Sequence, residues 1–522
     1  MRKVLHLNLS KTLISLAGLP PIAFADVSDI FSNVVSDFDR TMATFNPVGE
    51  YFREPLERAL PDLSVQGRIK QWTDILINPD KQLGYGGKGL QDYRFAQLQN
   101  LLELKTSYAI FPGLDFKAVT HAMYDGAYDW QQSKGLYANR INETAERYNT
   151  TDRIMRELYV SYRTAKYDVI VGKQQVIWGK MDGQFIDIIN GMDRREGPQL
   201  ETEDYELRRL PAWMINTTLH FGDSSLQLLD IISHEQDQQS LPGSPWYSPL
   251  YTPSAPGGDV TLPWRRPHTG NLDNQEFAMR FDRAAGAMTY GFIYAYLWDK
   301  NPVDRIIGTE GQGAATRLLF QPQVNRLNHF GVTADYSTTL PDVPLVGAVP
   351  TVFRLEALYT LGVRFTDSNL QAAARAGDAG TDGTVRHDTF RAAIAAEFGL
   401  PGNTTFIMQP SLYYTFGWNP ALSYGFGGGI ENQWTLIPVF YLSHPFAFTR
   451  DRLTVNYTLY PVFGGPEITW QGVKSKLRIS YKISQFLTTD LVYNSYGGGP
   501  DSGLYGQYKK WDNVGWEINY AF

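Results

Sequence analysis

The chain has 522 residues, no cysteine, 47 basic and 54 acidic side chains, and a formal charge of −7. Without thiols there can be no disulfide, thiolate zinc site, cysteine nucleophile or C-x-x-C-H haem attachment, and the acidic balance offers no basic surface to nucleic acid. Aromatic residues at 14% exclude intrinsic disorder, while charged residues at 19% fall below the roughly 25% of ordinary soluble domains.

Residues 1–25 read as a secretory signal peptide: Arg2, Lys3 and Lys11 form a positive start, Thr12 to Phe24 is mostly apolar, and Ala23, Phe24 and Ala25 give a small-x-small site before Asp26. A buried N-terminal helix is the alternative, but Pro20 and Pro21 would break it. Cleavage removes three basic residues and takes the charge from −7 to −10. Residues 26–62 form a second unit. Ile30, Phe31, Val34, Val35, Phe38, Met42 and Phe45 recur at helical spacing behind Asp26 and Ser28 as caps, before Pro47, Pro55 and Pro61 divide the chain. This segment is expected to plug a lumen, meet a periplasmic partner, or pack under a rim for stability.

From residue 63 onward the period changes to two. Phe353, Leu355, Ala357, Tyr359, Leu361, Val363 and Phe365 share one face, and Arg354, Glu356, Thr360, Gly362 and Arg364 share the other. Val473, Ser475, Leu477, Ile479, Tyr481 and Ile483 likewise oppose Lys474, Lys476, Arg478, Ser480 and Lys482. Phe277, Met279 and Phe281 oppose Glu276, Arg280 and Asp282, and Phe390, Ala392, Ile394, Ala396 and Phe398 oppose Arg391 and Glu397. Eighteen strands are expected near 63–77, 91–106, 113–129, 152–165, 167–180, 211–221, 225–235, 275–285, 287–298, 324–338, 351–366, 387–399, 404–417, 430–443, 452–461, 467–482, 486–496 and 511–522.

Short connections at 165–167, 222–224, 284–286, 401–403 and 483–485 alternate with long polar ones around 130–151, 181–210, 236–274, 299–323, 367–386 and 497–510. An even-stranded transmembrane barrel has this rhythm, with short periplasmic turns and long external loops. Hydrocarbon demands an internal partner for every backbone N–H and C=O, and a closed sheet supplies one without leaving an edge. Apolar side chains then face lipid, polar ones face a wet lumen, and a mean hydropathy of −0.29 suits a membrane protein. Trp130, Trp178, Trp298, Trp418, Trp470 and Trp511, near strand ends, suit interfacial girdles. No later run of 18 apolar residues offers a membrane-spanning helix. The fold class expected for residues 63–522 is therefore an all-β transmembrane antiparallel β-barrel in the outer membrane of a Gram-negative bacterium. A periplasmic or secreted all-β protein is the competing class.

The run Arg156 to Tyr162, followed by Gly172, Lys173, Gln174, Gln175, Val176, Ile177, Trp178, Gly179 and Lys180, carries a Gly-Lys-Gln…Trp-Gly hairpin. It resembles that of the domain-of-unknown-function family 1302 of Gram-negative outer-membrane β-barrel proteins. Asp187 to Asn190, Arg194 and Arg195, Leu210 to Trp213, and a terminal Asp512, Asn513 and Val514 with an aromatic ending continue the pattern. Lys180 stands where an acidic or polar residue is commoner, and residues 26–62 have no counterpart. Alginate-export barrels resemble the family more distantly. The resemblance implies a barrel and leaves the solute open.

Three groups of residues are candidates for function. The family motif is Gly172, Lys173, Gln174, Trp178 and Gly179. The charged loop 181–210, with Asp187, Arg194 and Arg195, either folds inward as a selective constriction or lies on the surface with its charges neutralising one another. Arg354, Arg364, Arg391, Lys474, Lys476, Arg478 and Lys482 are placed on lumen faces. They share those faces with Glu276, Asp282, Asp335, Glu356, Glu397, Asp490 and Glu517, so a mixed lumen is expected and polyanion export is weakly supported. Enzyme signals are sparse. The histidines at 121, 220, 234, 268, 329, 387 and 444 are scattered, no G-x-S-x-G or H-E-x-x-H occurs, and Asp378, Asp382 and Gly383 lack the spaced carboxylates of a calcium loop. Glycine runs 84–89, 425–429 and 497–499 precede no helix and read as turns, not phosphate cradles. The function expected is a non-enzymatic channel or transport component without cofactor, set in outer-membrane lipid, for a small or polymeric solute, with a possible periplasmic transport partner. A barrel sheathing a periplasmic lipoprotein or multihaem cytochrome is the alternative, and an outer-membrane lipase or protease the third reading.

Overall fold

The computed structural model describes residues 46–77, 95–129, 154–183, 185–194, 205–239, 246, 259–311, 316–344, 346–423, 432–465, 467, 469–500, 503–509 and 511–522. Signal-peptide residues 1–25, the helical positions Ile30 to Phe45, Trp130 and Arg195 lie outside them.

Among the described residues one closed sheet carries eighteen antiparallel strands. They are β1 Leu63–Leu76, β2 Phe95–Phe111, β3 Leu114–Asp125, β4 Met155–Arg163, β5 Tyr167–Gln174, β6 Ala212–Phe221, β7 Ser224–Ile231, β8 Glu276–Ala285 and β9 Met288–Trp298. The second half comprises β10 Arg326–Val343, β11 Gly347–Asp367, β12 Thr384–Leu400, β13 Thr404–Thr415, β14 Trp434–Pro445, β15 Leu453–Gly464, β16 Thr469–Lys482, β17 Leu487–Gly497 and β18 Asn513–Ala521. Each expected strand has its counterpart, each pairs with its neighbours in the chain, and β1 closes on β18 from Arg68 opposite Ala521 to Leu76 opposite Asn513. Closure satisfies every backbone edge.

The faces follow from the pleat. Ile69, Leu102, Val171, Ile215, Phe277, Met279, Phe292, Phe330, Val332, Ile394, Leu491 and Trp516 are each at least 38% exposed, too large an apolar surface for water. They form the lipid-facing belt. Their neighbours Glu103, His121, Glu276, Glu356, Lys474 and Lys476 are buried inside.

Two of the alternation readings need correction. On β11 the pairing slips between Thr360 and Val363, where Gly362 takes a φ of +74° and opens a bulge. Val363 and Phe365 are thereby buried with Leu327 and Leu422 rather than set in lipid. Trp178 and Trp511 are 3% and 6% exposed and pack inside the barrel, whereas Trp470, 40% exposed, and Trp298 sit on its outside.

Short turns gather on one rim and long connections on the other. At the short-turn rim a π turn, Gly49–Arg53, runs into α1, Glu54–Ala59, with Pro55 in its first turn. This piece is stitched to the closing seam: Tyr520 donates its hydroxyl to Asn46 at 2.6 Å, and Val65 donates its N–H to Glu57 at 2.8 Å. The C-terminal Phe522 exchanges two backbone hydrogen bonds with Gly67, both 2.9 Å, and its ring fills the space that a side chain at Gly67 would need.

On the long-loop side a small cap has its own core. A hairpin of Val303–Glu310 and Arg317–Gln323 pairs with Val260–Thr261, and α2, Ser368–Arg375, brings Ala374 against Ile306, Leu318 and Phe320. Arg375 grips Asp259 with two hydrogen bonds of 2.9 and 2.6 Å. Arg364, expected in the lumen, belongs to this cap, because beyond the bulge it meets Asp382 at 3.0 Å beside Arg305.

Replacing Ile394, 57% exposed on the lipid face, with arginine should destabilise the barrel by about 2–4 kcal/mol, measured by equilibrium unfolding from vesicles. No loss would mean that the face does not meet hydrocarbon. In the cap, hydrogen bonding to Arg375 holds the Asp259 carboxyl below its ordinary value of 3.8. The stability of this contact is fully present above 3.8 and is lost as pH falls through the lower folded value. Amide protection factors over Ser368–Arg375 should therefore be flat between about pH 5 and pH 7 and fall only under stronger acid; flat factors throughout would contradict the link.

Candidate functional site

Residues 175–183 and 185–190 leave the wall at the end of β5 and cross the lumen, so the fifth strand ends at Gln174 rather than running on to 180. The motif explains the departure. Gly172 has a φ of +140°, and a Cβ there would lie 2.2 Å from the Leu158 carbonyl oxygen, so only glycine lets β4 approach so closely. Lys173 is buried and donates from Nζ to the Met155 carbonyl at 3.1 Å. Gln174 accepts from Asn216 at 3.1 Å.

The crossing chain is then held strand by strand. Trp178 donates from its indole to Gln227 on β7 at 2.8 Å, and its carbonyl accepts from Arg280 on β8 at 2.8 Å. Gly179 packs so tightly that a Cβ would come within 3.4 Å of both Asp187 and Glu356. Lys180 forms an ion pair with Asp335 on β10 at 2.6 Å, and its N–H bonds Glu356 on β11 at 2.6 Å. Asp182 exchanges backbone hydrogen bonds with the Gln409 amide of β13, 3.2 and 2.7 Å, and its carboxylate accepts from Tyr460 of β15 at 2.9 Å. On the return Tyr413 donates to the Gly183 carbonyl at 3.1 Å, and Asn190 accepts from Val176 and donates to Leu210 at 2.9 Å each.

Burial supplies the energy and these bonds set the position. Phe185, Ile186 and Ile189 are fully buried, each worth about 1.5–3 kcal/mol, against a net of about 0.5–1.5 kcal/mol for a typical hydrogen bond. Their partners come from the inner wall: Ala212, Met214, Leu229, Ile231, Ala278, Ile293, Ala295, Leu297, Leu358, Ala393 and Ala395. This part of the lumen is therefore dry and packed. A uniformly wet interior was expected. The inner faces of β6 to β9, β11 and β12 instead form a second apolar surface that the crossing segment covers.

Asp187, expected as a constriction charge, lies within this core and is held by Arg209 at 2.6 Å, with the two side chains 3% and 5% exposed. Arg156 props the same corner by donating to the carbonyls of Glu206 and Arg209. Arg194 pairs with Asp237 at 2.7 Å. Arg354 projects inward between Asp335 at 3.7 Å and Glu397 at 2.5 Å. Arg391 shares the inner face of β12 with Ala393 and Ala395. Lys482 is the exposed last residue of β16 at the short-turn rim, away from the crossing.

The rest of the lumen keeps space and charge. A recess between β1, β2, β16, β17 and β18 is lined by Lys70, Lys476, Arg478, Asp74 and Glu517, with Asp193 and Arg208 above. A second lies between β1 and β4 with Glu103, Lys105, Lys117, His121, Glu157 and Glu206. Charges on these walls interlock: Lys70 and Arg478 meet Glu517 at 3.1 and 3.3 Å, Arg68 and His121 meet Glu103 at 3.0 and 2.5 Å. Lys474 lies 5.9 Å from the rings of Tyr460 and Tyr496. Among the described residues no group of three or more His, Asp or Glu is placed to hold a metal ion.

Residues 92–522 match the family described as "Protein of unknown function (DUF1302)". The chain belongs to the DUF1302 family. The match takes in the crossing segment and every barrel strand after β1, so the Gly-Lys-Gln…Trp-Gly hairpin is read within its own family. No curated protein matches the sequence. Among solved structures the DUF1302 barrel is similar to OccK8 (OprE) of Pseudomonas aeruginosa, with TM-score 0.48 and 10% identity over 89% of this chain and 98% of that one. It is similar to the outer membrane protein opdK of Pseudomonas aeruginosa, with TM-score 0.48 and 10% identity over 89% and 99% of the two chains. It is also similar to OccAB2 of Acinetobacter baumannii, with TM-score 0.48 and 12% identity over 89% and 98%.

Two ion pairs separate core from lumen. Arg209→Ala leaves Asp187 buried without its counter-charge and should cost about 3–5 kcal/mol, whereas Lys105→Ala on the wet side, which loses a pair with Glu206 at 2.5 Å whose side chains are 40% and 51% exposed, should cost under about 1 kcal/mol. Equal losses in equilibrium unfolding would contradict the division of the lumen into dry and wet halves.

Proposed function

We propose that this protein is an outer-membrane channel for a polar solute, whose path is confined to the wet side of the lumen along β1 to β4 and β16 to β18. The observation that carries this reading is the asymmetry of the interior. One side is filled by Phe185, Ile186 and Ile189 packed on an apolar wall, and the other keeps recesses bounded by charged side chains. A closed eighteen-stranded barrel is wide enough for an aqueous channel unless something fills it. Here the crossing segment narrows it, with Lys180 and Asp182 presented on the far walls.

Several features favour a passage over a sheath. A folded partner would need the space that the chain's own residues occupy. Nothing in the arrangement of Asp187, Arg209, Glu103 and His121 offers a nucleophile beside a base, so the reading is a channel rather than a hydrolase. The solute class follows from the walls. The first recess sets Lys70, Arg208, Lys476 and Arg478 against Asp74, Asp193 and Glu517, and the second sets Lys105 and Lys117 against Glu103, Glu157 and Glu206. Such near-balanced walls suit small polar or zwitterionic solutes better than a polyanion, which would need sustained positive potential.

In planar bilayers the purified barrel should give single-channel steps with cation and anion permeabilities within roughly threefold of each other. The double variant Phe185→Asp and Ile189→Asp should release the segment and raise the conductance. A protein that inserts without conducting would refute the channel. An unchanged conductance in the variant would refute the role of the segment.

A further inference from the structure

We propose that the long-loop rim above β8, β9 and β10 holds the phosphorylated headgroup of an anionic lipid of the outer leaflet. Arg326, the first residue of β10, points to the same side as Phe330 and Val332, which are 46% and 39% exposed on the lipid face. Its guanidinium lies over the outward rings of Trp298 at 4.2 Å and Tyr296 at 5.0 Å. Arginine stacked in this way is held in a fixed orientation, and Nη1 of Arg326 is buried without a hydrogen-bond partner. One amino group of Arg326 donates to the Asp273 carbonyl at 3.1 Å, the Trp298 indole donates to the Asn274 carbonyl at 3.0 Å, and Asn274 donates to the His268 carbonyl at 3.1 Å. Residues 268–274 are therefore fastened to the outside of the barrel at its outer end.

Two further arginines stand three and two residues before His268 in the same stretch of chain. Arg265 donates its backbone N–H to Pro322 at 3.2 Å, four residues before Arg326, and its neighbour Arg266 stacks on Trp264 at 4.5 Å. Both side chains are exposed. Among the described residues Arg265, Arg266 and Arg326 make no ion pair, in contrast to Lys70, Lys180, Arg209, Arg354 and Arg478 in the lumen. The acidic side chain within the fastened segment is Asp273. An excess of guanidinium at the boundary between water and hydrocarbon matches phosphate, which arginine binds through paired N–H donors. Leu272, 76% exposed in the same turn, and the belt residues Phe277 and Phe292 beneath it, 49% and 56% exposed, offer apolar surface that acyl chains would cover. A free phosphate would make no use of it, so the geometry favours the lipid.

The test is native mass spectrometry of the full barrel in neutral detergent with three probes: bis-phosphorylated lipid A, its dephosphorylated form, and phosphatidylethanolamine. The wild type should retain lipid A through detergent exchange. The triple variant Arg265→Ala, Arg266→Ala and Arg326→Ala should bind it about a hundredfold more weakly, and dephosphorylated lipid should bind the wild type as weakly as lipid A binds the variant. If the triple variant fails to fold, the double variant of the exposed Arg265 and Arg266 replaces it, with an expected loss of about thirtyfold, and Arg→Lys versions should keep part of the affinity. Equal retention of lipid A by the variants, or equal binding of the dephosphorylated lipid, would overturn the proposal. Displacement of lipid A by millimolar inorganic phosphate would reassign the site to the free anion.

Discussion

The rest of the structure depends on the meeting of β1 with β18. Hydrocarbon cannot hydrogen-bond a free strand edge, so the first and last strands must pair along their length, and they do so from Arg68 to Leu76. The end of the chain shows how closely this seam is built: Phe522 seats its ring over Gly67, and the N-terminal helical piece is tied to Tyr520 and Val65. Once closed, every strand has one face in lipid and one facing inward, and the remaining question is what fills the inside.

The barrel answers with two different interiors. Along β6 to β9 and β11 to β12 the inward residues are small or aliphatic, and the crossing segment lays Phe185, Ile186 and Ile189 on them as a core. Along β1 to β4 and β16 to β18 many are long and charged and hold one another in pairs, while at the long-loop end Leu76, Ala96 and Tyr496 pack with Tyr505, Tyr508 and Trp511 in a second apolar cluster. The two halves call for different chemistry. In the dry half a lone charge is costly, so Asp187 and Arg209 occur together. In the wet half water screens the pairs, and their arrangement sets selectivity more than stability.

Much of this was legible in the sequence. The strands were readable because alternation and the rhythm of short and long connections are local signals, whereas the Gly-Lys-Gln…Trp-Gly run was read as strand as far as 180 although the chain leaves the wall after Gln174. The dry half was less legible. Alternation reports which residues share a face, not what lies against that face, and the doubly apolar strands around Met214 and Ile215, or Phe292 to Leu297, looked like ordinary lipid-facing stretches. Read together with the run Phe185, Ile186, Ile188 and Ile189, their second apolar face was the missed signal. Arg364 and Trp178 were misplaced for related reasons: a bulge at Gly362 and an inward turn after Gln174 change direction without changing composition. The pairing of Asp187 with Arg209 depends on tertiary structure and leaves no mark in local spacing.

The central claim is that the crossing segment is a fixed part of the folded core, seated against β13. The absence of native cysteine allows a direct measurement with a single introduced thiol, Ile186→Cys, at a side chain that is fully buried against the apolar inner wall. In native membranes the account predicts that a small impermeant maleimide leaves this thiol unlabelled until the barrel is unfolded. A thiol that reacts freely in the folded protein would contradict it.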